Sequence, residues 1–227
     1  MPASSLTVVL GRACSGKSRR LYECMAAHMQ KGEPAVLLTA EQSTYEAEKA
    51  LCTLCGGLVG GQVLSLTRFS QRVLSEQGVF LPYLSAQGRL MVVRKAALRR
   101  QQELTLFAPI AAGKGFARKI DELITRFKQS GVRPEQLKAA AEKLPEDSLL
   151  RGKLMDLSLL YEEVQAYLQD RYLTEGDLWT RAGECFSASA LCRSHIYVDG
   201  IDLPSRQLFD FLEGLLRVCL SMTVALR

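Results

Sequence analysis

Eight consecutive residues carry the densest chemistry in this sequence: Gly11-Arg12-Ala13-Cys14-Ser15-Gly16-Lys17-Ser18. They fit the pattern G-x-x-x-x-G-K-[ST] without deviation. Each residue type has a physical task at its position. The glycines let the backbone turn tightly and bring its N–H groups onto phosphate oxygens. A helix starting near Lys17 points the positive end of its dipole at the same anion. Lys17 is spaced to reach the β- and γ-phosphates of a nucleoside triphosphate, and the Ser18 hydroxyl is spaced to ligate Mg²⁺. The whole run from Gly11 to Ser18, including Arg12, Ala13, Cys14 and Ser15, is the candidate ATP-binding segment.

Such a loop needs a second acid, at the end of an apolar strand, to hold the water shell of the Mg²⁺. Ile196-Tyr197-Val198-Asp199 supplies one, so Asp199 joins Ser18 as a candidate metal residue. In helicase-type ATPases a Glu follows that Asp and polarises the attacking water. Here Gly200 follows, with no side chain to do so, and Asp202 lies three residues on. The site therefore reads as able to bind Mg-ATP and poorly equipped to cleave it.

The elements that must position these residues follow from periodicity and breakers. Leu6 to Leu10 reads as a short strand that meets the glycine loop. Helical periodicity runs from Lys17 to about Gln30, and Gly32 with Pro34 stops it. Ala35 to Thr39 is a second apolar strand. Ser43 to Glu46 has capping-box spacing and opens a helix towards Leu54. Glycine-rich residues 55–61 form a turn, Val63 to Leu66 a third strand, and Thr67 caps a helix through about Gln77. From Ser85 to about Ser187 nearly everything reads as helix, with breaks at Ala108-Pro109, Gly131 to Pro134, Pro145 and Gly176. Strand character returns at His195 to Asp199. A helix follows Pro204, and Met222 to Leu226 is a strand. The expected fold is therefore α/β: a parallel sheet of the P-loop NTPase, RecA-like kind with a large all-helical insertion. The expected division is 1–84 with 188–227 for the sheet domain and 85–187 for the insertion. An apolar strand at the end of the sequence suits a fragment of a longer chain.

Composition narrows the class. The chain has 227 residues, 48% hydrophobic and 23% charged, which is ordinary for a globular protein. No apolar run approaches the ~20 residues of a membrane span, and the N-terminus lacks the order of a secretory signal. Seven cysteines without scaffold spacing read as reduced thiols in the cytoplasm. Cys52-x-x-Cys55 has no second pair at ligand spacing and reads as structural. Cys14 reads as packing under the loop, and His28 and His195, with no partner pattern, read as structural. The net charge is +5, yet residues 85–130 hold ten Lys/Arg against three acids. That basic helical stretch suits either a phosphate-backbone surface or a solvated helix face.

With these pieces in place, the chain resembles the N-terminal region of the AddB family, the second subunits of bacterial AddAB helicase–nucleases. The matching pieces are LGRACSGKSRRL at 10–21, Glu41 to Glu46 after the second strand, and LSLTRFSQRVL at 64–74. Further along come YEEVQAYLQDRYLTEGDL at 161–178 and HIYVDGIDLPSRQLFDFLEGLL at 195–216. The resemblance implies a superfamily 1-like motor module, of which this chain spans the first RecA-like subdomain and its helical insertion. It implies an AddA-like partner subunit, single- and double-stranded DNA as ligand, and a place in double-strand break repair and Chi-regulated recombination. It also implies a degenerate motor, in keeping with Gly200. By position Gln42 falls in the region of helicase motif Ia and Thr67-Arg68-Phe69 follows the next strand; both are placed near the single-stranded DNA path, and Gln42 is also grouped with the ATP-site residues. The family's second RecA-like domain, nuclease domain and iron–sulfur cysteines would lie beyond residue 227. Two other readings stay open on the residues: an autonomous P-loop ATPase or phosphotransferase, and a scaffold with a vestigial loop.

Overall fold

The computed structural model describes residues 5–169, 171–201 and 205–226, so Asp202 lies outside the described residues. Five strands make one sheet: β1 (Ser5–Leu10), β2 (Ala35–Thr39), β3 (Gly61–Ser65), β4 (His195–Val198) and β5 (Ser221–Leu226). All four pairings are parallel, in the order β1-β5-β4-β2-β3. Among the described residues nine α-helices accompany them. They are α1 (Lys17–Gln30), α2 (Thr44–Cys55), α3 (Leu66–Glu76), α4 (Ala86–Arg99), α5 (Lys114–Gln129), α6 (Pro134–Glu142), α7 (Leu149–Leu168), α8 (Glu175–Cys185) and α9 (Arg206–Leu216). The class is the expected one, α/β with an all-parallel sheet, consistent with a RecA-like fold carrying a helical insertion. None of the described helices is long and apolar enough to cross a membrane.

The chain divides into two compact units. Residues 1–80, 178–204 and 208–227 form the first, and residues 81–177 with 205–207 form the second. In the first unit, β2 is buried along its whole length, as a strand covered on both faces must be. Alternate side chains Ala35 and Leu37 join Tyr197 and Ala225 under Leu21, Met25 and Met29 of α1 and Ala47 and Leu51 of α2. Phe69, Phe186, Phe211 and Trp179 form an aromatic cluster, with edge-on contacts of 5.0–6.3 Å among the three phenylalanines. The second unit packs α4, α5, α6 and α7 around Val93, Ala97, Ile120, Ile124, Leu160 and Val164. Its entry and exit segments are tied by Leu84 N–H to the Leu173 carbonyl (2.8 Å) and Leu173 N–H to the Pro82 carbonyl (3.0 Å). That tie lets one helical block be inserted between two consecutive elements of a sheet.

Local chemistry moves some of the expected boundaries. The cap of α3 is Ser65, in extended conformation, whose hydroxyl accepts from Arg68 N–H; Thr67 lies inside the first turn. The third strand accordingly spans Gly61–Ser65 and ends before Leu66. Ser43 precedes α2 but its side chain makes no capping bond, and Thr44 Oγ1 donates to the Glu41 carbonyl instead. Gly176 sits within α8, not at a break.

Candidate functional site

β1 runs straight into the glycine loop, and the loop runs straight into α1. Two residues in left-handed backbone make the bend: Gly16 (φ 85°) and, unusually for a side-chain-bearing residue, Cys14 (φ 59°). Ser15 N–H donates to the Arg12 carbonyl at 3.3 Å, closing the turn. A side chain on Gly11 would meet Ser15 Oγ at 2.5 Å, so the Ser15 hydroxyl would have to turn away to admit one. The first turn of α1 receives no side-chain cap and holds no acid. Its N–H groups and its positive dipole end therefore face outward, the arrangement that favours an anion. Lys17 folds over the loop, donating from Nζ to the carbonyls of Gly11 (2.7 Å) and Arg12 (2.6 Å). Arg12, Ala13, Cys14, Ser15, Gly16 and Ser18 are exposed, with Lys17 half-buried. Cys14 thus projects from the loop and does not pack beneath it.

Asp199 follows β4 directly, is 9% exposed, and donates its N–H to the Leu38 carbonyl of β2 at 3.0 Å. Burial and then the Asp199 carboxylate push the Tyr22 phenol up. Gly200 adopts φ 66° with Thr39 Oγ1 3.7 Å from where its side chain would start. A Glu at this position would carry a left-handed backbone strain of ~1–2 kcal/mol. The backbone after Asp199 is therefore shaped for glycine, not for a catalytic acid.

Gln42 sits in a single 3₁₀ turn, Glu41–Ser43, just past β2 and is exposed. Its neighbour Glu41 pairs with Arg68 at 3.3 Å, linking the two segments expected near DNA. Of those residues Arg68 is exposed, whereas Phe69 is fully buried in the aromatic cluster and unavailable for stacking on a base. In the helical unit five of the ten basic residues of 85–130 are tied to acids: Arg89 to Asp121, Arg99 and Arg100 to Glu163, Lys119 to Glu122, and Lys128 to Asp177. Lys95 lies 4.6 Å over the Tyr167 ring. Arg94, Arg118 and Arg126 are exposed and have no acid within ion-pair distance among the described residues.

Sequence reasoning missed one constellation. His28 and His195, read as isolated, stack with ring centroids 3.7 Å apart, and Glu33 reaches both. Burial, then the adjacent His28, lowers the His195 pKa, and the hydrogen bond from His28 is the main cause that lowers that of Glu33. The seven cysteines are all free thiols; burial pushes Cys192 up to about 12 and Cys219 up to about 11, which keeps both protonated and unreactive. Cys55 donates to the Leu51 and Gly57 carbonyls, a structural role.

A family model described as "ADDB, N-terminal" matches residues 8–227. A protein of Geobacillus kaustophilus, named as the B subunit of an ATP-dependent helicase/deoxyribonuclease, is 35% identical over 235 aligned residues, covering 98% of this chain and 20% of its own length. Proteins of the same name from Moorella thermoacetica and Bacillus subtilis are 35% and 30% identical, covering 98% and 92% of this chain. The chain thus spans about a fifth of the length of these curated relatives.

Proposed function

Because this chain belongs to the family of AddB N-terminal regions, we propose that it is the nucleotide- and DNA-binding module of an ATP-dependent helicase/deoxyribonuclease, within its AddB-type subunit, binding Mg-ATP with weak or no hydrolysis of its own. The observation that carries this reading is the Gly11–Ser18 loop: a tight, left-handed bend in front of an uncapped helix start, with the Lys17 ammonium laid across it. The loop N–H groups and Lys17 would hold the phosphates, and Ser18 with Asp199 would hold Mg²⁺. When bound, that ion would neutralise charge on the β- and γ-oxygens. Gly200, with its left-handed backbone, supports binding in preference to turnover. An AddA-like partner subunit and DNA, in the repair of double-strand breaks, complete the role. Gln42 and the Glu41–Arg68 pair lie on the exposed segments that would border the DNA path.

The test is a titration with Mg-ATP and with a non-hydrolysable analogue by calorimetry, with phosphate release assayed on the same sample. Binding of both with negligible release is the expected outcome. Lys17→Ala should abolish binding while circular dichroism stays that of the wild type. Wild-type affinity in that variant would refute the assignment of the loop, and rapid phosphate release by the wild type would refute the degenerate site.

A further inference from the structure

The His28–Glu33–His195 cluster lies at the opposite end of α1 from the phosphate loop, and the proposed function does not use it. From its geometry we propose that it is a binding site for a zinc-class divalent transition ion, held by two imidazoles and one carboxylate and fastening the end of α1 to the sheet. The donor atoms of the three residues all lie within 4.8 Å of one another. Glu33 Oε2 is 2.5 Å from His28 Nδ1 and 3.5 Å from His195 Nε2.

Backbone chemistry explains why these three meet. α1 ends in a Schellman motif: Gly32 N–H donates to the Met29 carbonyl (2.9 Å) and Glu33 N–H to the His28 carbonyl (3.0 Å). In this motif the residue after the glycine folds back over the helix residue five positions earlier, usually in an apolar contact. Here an acid folds back over a histidine. The third donor comes from the sheet. His195 opens β4 opposite Ala35, and its N–H donates to the Pro34 carbonyl at 2.8 Å. Its Nδ1 lies 2.7 Å from the Oγ of Ser221, its direct partner on β5, so Nε2 is the nitrogen turned towards Glu33. That hydroxyl is the kind of outer partner that fixes a ligating imidazole's orientation.

The donor set selects the ion. Imidazole nitrogen with one carboxylate suits zinc and its neighbours and is too nitrogen-rich for Mg²⁺ or Ca²⁺. Bonds of ~2.0–2.1 Å place tetrahedral donors ~3.3 Å apart. The Glu33–His195 separation already matches, the His28 ring must swing off its 3.7 Å stack on His195 to bring both nitrogens onto one ion, and the Glu33–His28 contact must open by ~0.8 Å. The Glu33 side chain can make that move, being 43% exposed, whereas His195 is held at 14%. Solvent access on that side leaves a fourth position for water. α1 spans ~21 Å at 1.5 Å per residue, so the ion would be remote from the nucleotide and structural in role.

The chain, stripped of metal, is dialysed against zinc and its metal content measured, with Co²⁺ as a spectroscopic probe. The expected results are a stoichiometric zinc ion, a rise in melting temperature on adding zinc, and Co²⁺ d–d bands of low coordination number without thiolate charge transfer. Glu33→Gln can still accept from His28, so it should melt like the metal-free wild type, while its zinc affinity falls at least about tenfold. His195→Asn should lose the Co²⁺ bands. Equal zinc binding by wild type and both variants, thiolate charge-transfer bands, or the spectrum of hydrated Co²⁺ would each overturn the site.

Discussion

A buried carboxylate that accepts four hydrogen bonds cannot be removed without orphaning its donors, and Asp156 holds that position in the helical unit. It is 2% exposed and accepts from the N–H groups of Thr105, Leu106 and Phe107 and from Thr105 Oγ1, at 2.9–3.0 Å. These bonds pin the loop between α4 and α5 onto α7. Asp156→Ala should destabilise the protein by ~2–3 kcal/mol, because three backbone N–H groups lose their charged acceptor. Urea unfolding checks this: the midpoint should fall with little change in slope, and a loss under ~1 kcal/mol would show the loop finding other partners. Residues in contiguous or fixed-spacing patterns, such as Gly11–Ser18 and the strand before Asp199, could be read from the sequence. Asp156 and the His28–Glu33–His195 cluster could not. Their partners lie about 50 and more than 160 residues away, and only the pairing of β2 with β4 and the packing of α7 bring them together. One local hint was readable: a histidine five residues before an acid that follows a helix-ending glycine.

At the level of elements, the limits of α1 and β2 followed directly from apolar periodicity and the Gly32–Pro34 stop. The cap of α3 did not, because Ser65 and Thr67 both present hydroxyls at plausible positions. Extended backbone at Ser65 decides between them, and no side-chain pattern reports it. Gly176 is tolerated inside α8 because the ~1 kcal/mol cost of a helical glycine is small beside tertiary packing. The basic helices α4 and α5 show how charge counts mislead, since half of the ten cations are occupied within their own unit. Single-stranded DNA binding should therefore depend on salt with a shallow log–log slope of about −2, reflecting Arg94, Arg118 and Arg126 at ~0.7 per phosphate. Affinity measured across a salt series by fluorescence anisotropy gives the slope. A value of about −6 would mean the ion pairs open onto DNA, and a flat line would exclude this surface.

For the molecule as a whole, alternating strands and helices announced a parallel sheet, but strand order was out of reach. Each parallel connection passes through a helix long enough to reach several positions, so only packing fixes which strands become neighbours. The outcome places β1 at the edge, with Leu6, Val8 and Leu10 each at least 45% exposed, and gives it one neighbour, β5, in register from Ser5 with Ser221 to Leu10 with Leu226. That register governs the order of events during synthesis. The strand carrying the phosphate loop leaves the ribosome before the other four, yet its hydrogen-bonding partner is more than two hundred residues behind. At ~5–20 residues per second it waits roughly 10–40 s as an unpaired apolar segment. β2 and β3, only about 26 positions apart, meet almost at once. Pulse-labelled hydrogen exchange during refolding should accordingly protect β2 and β3 amides early and those of β1 and β5 together and late, as non-local pairings are slow to close. Simultaneous protection of all five strands would contradict it. During that interval the nascent chain carries its future nucleotide loop on a strand with nothing to lean on, the stage at which a chaperone would have most to shield.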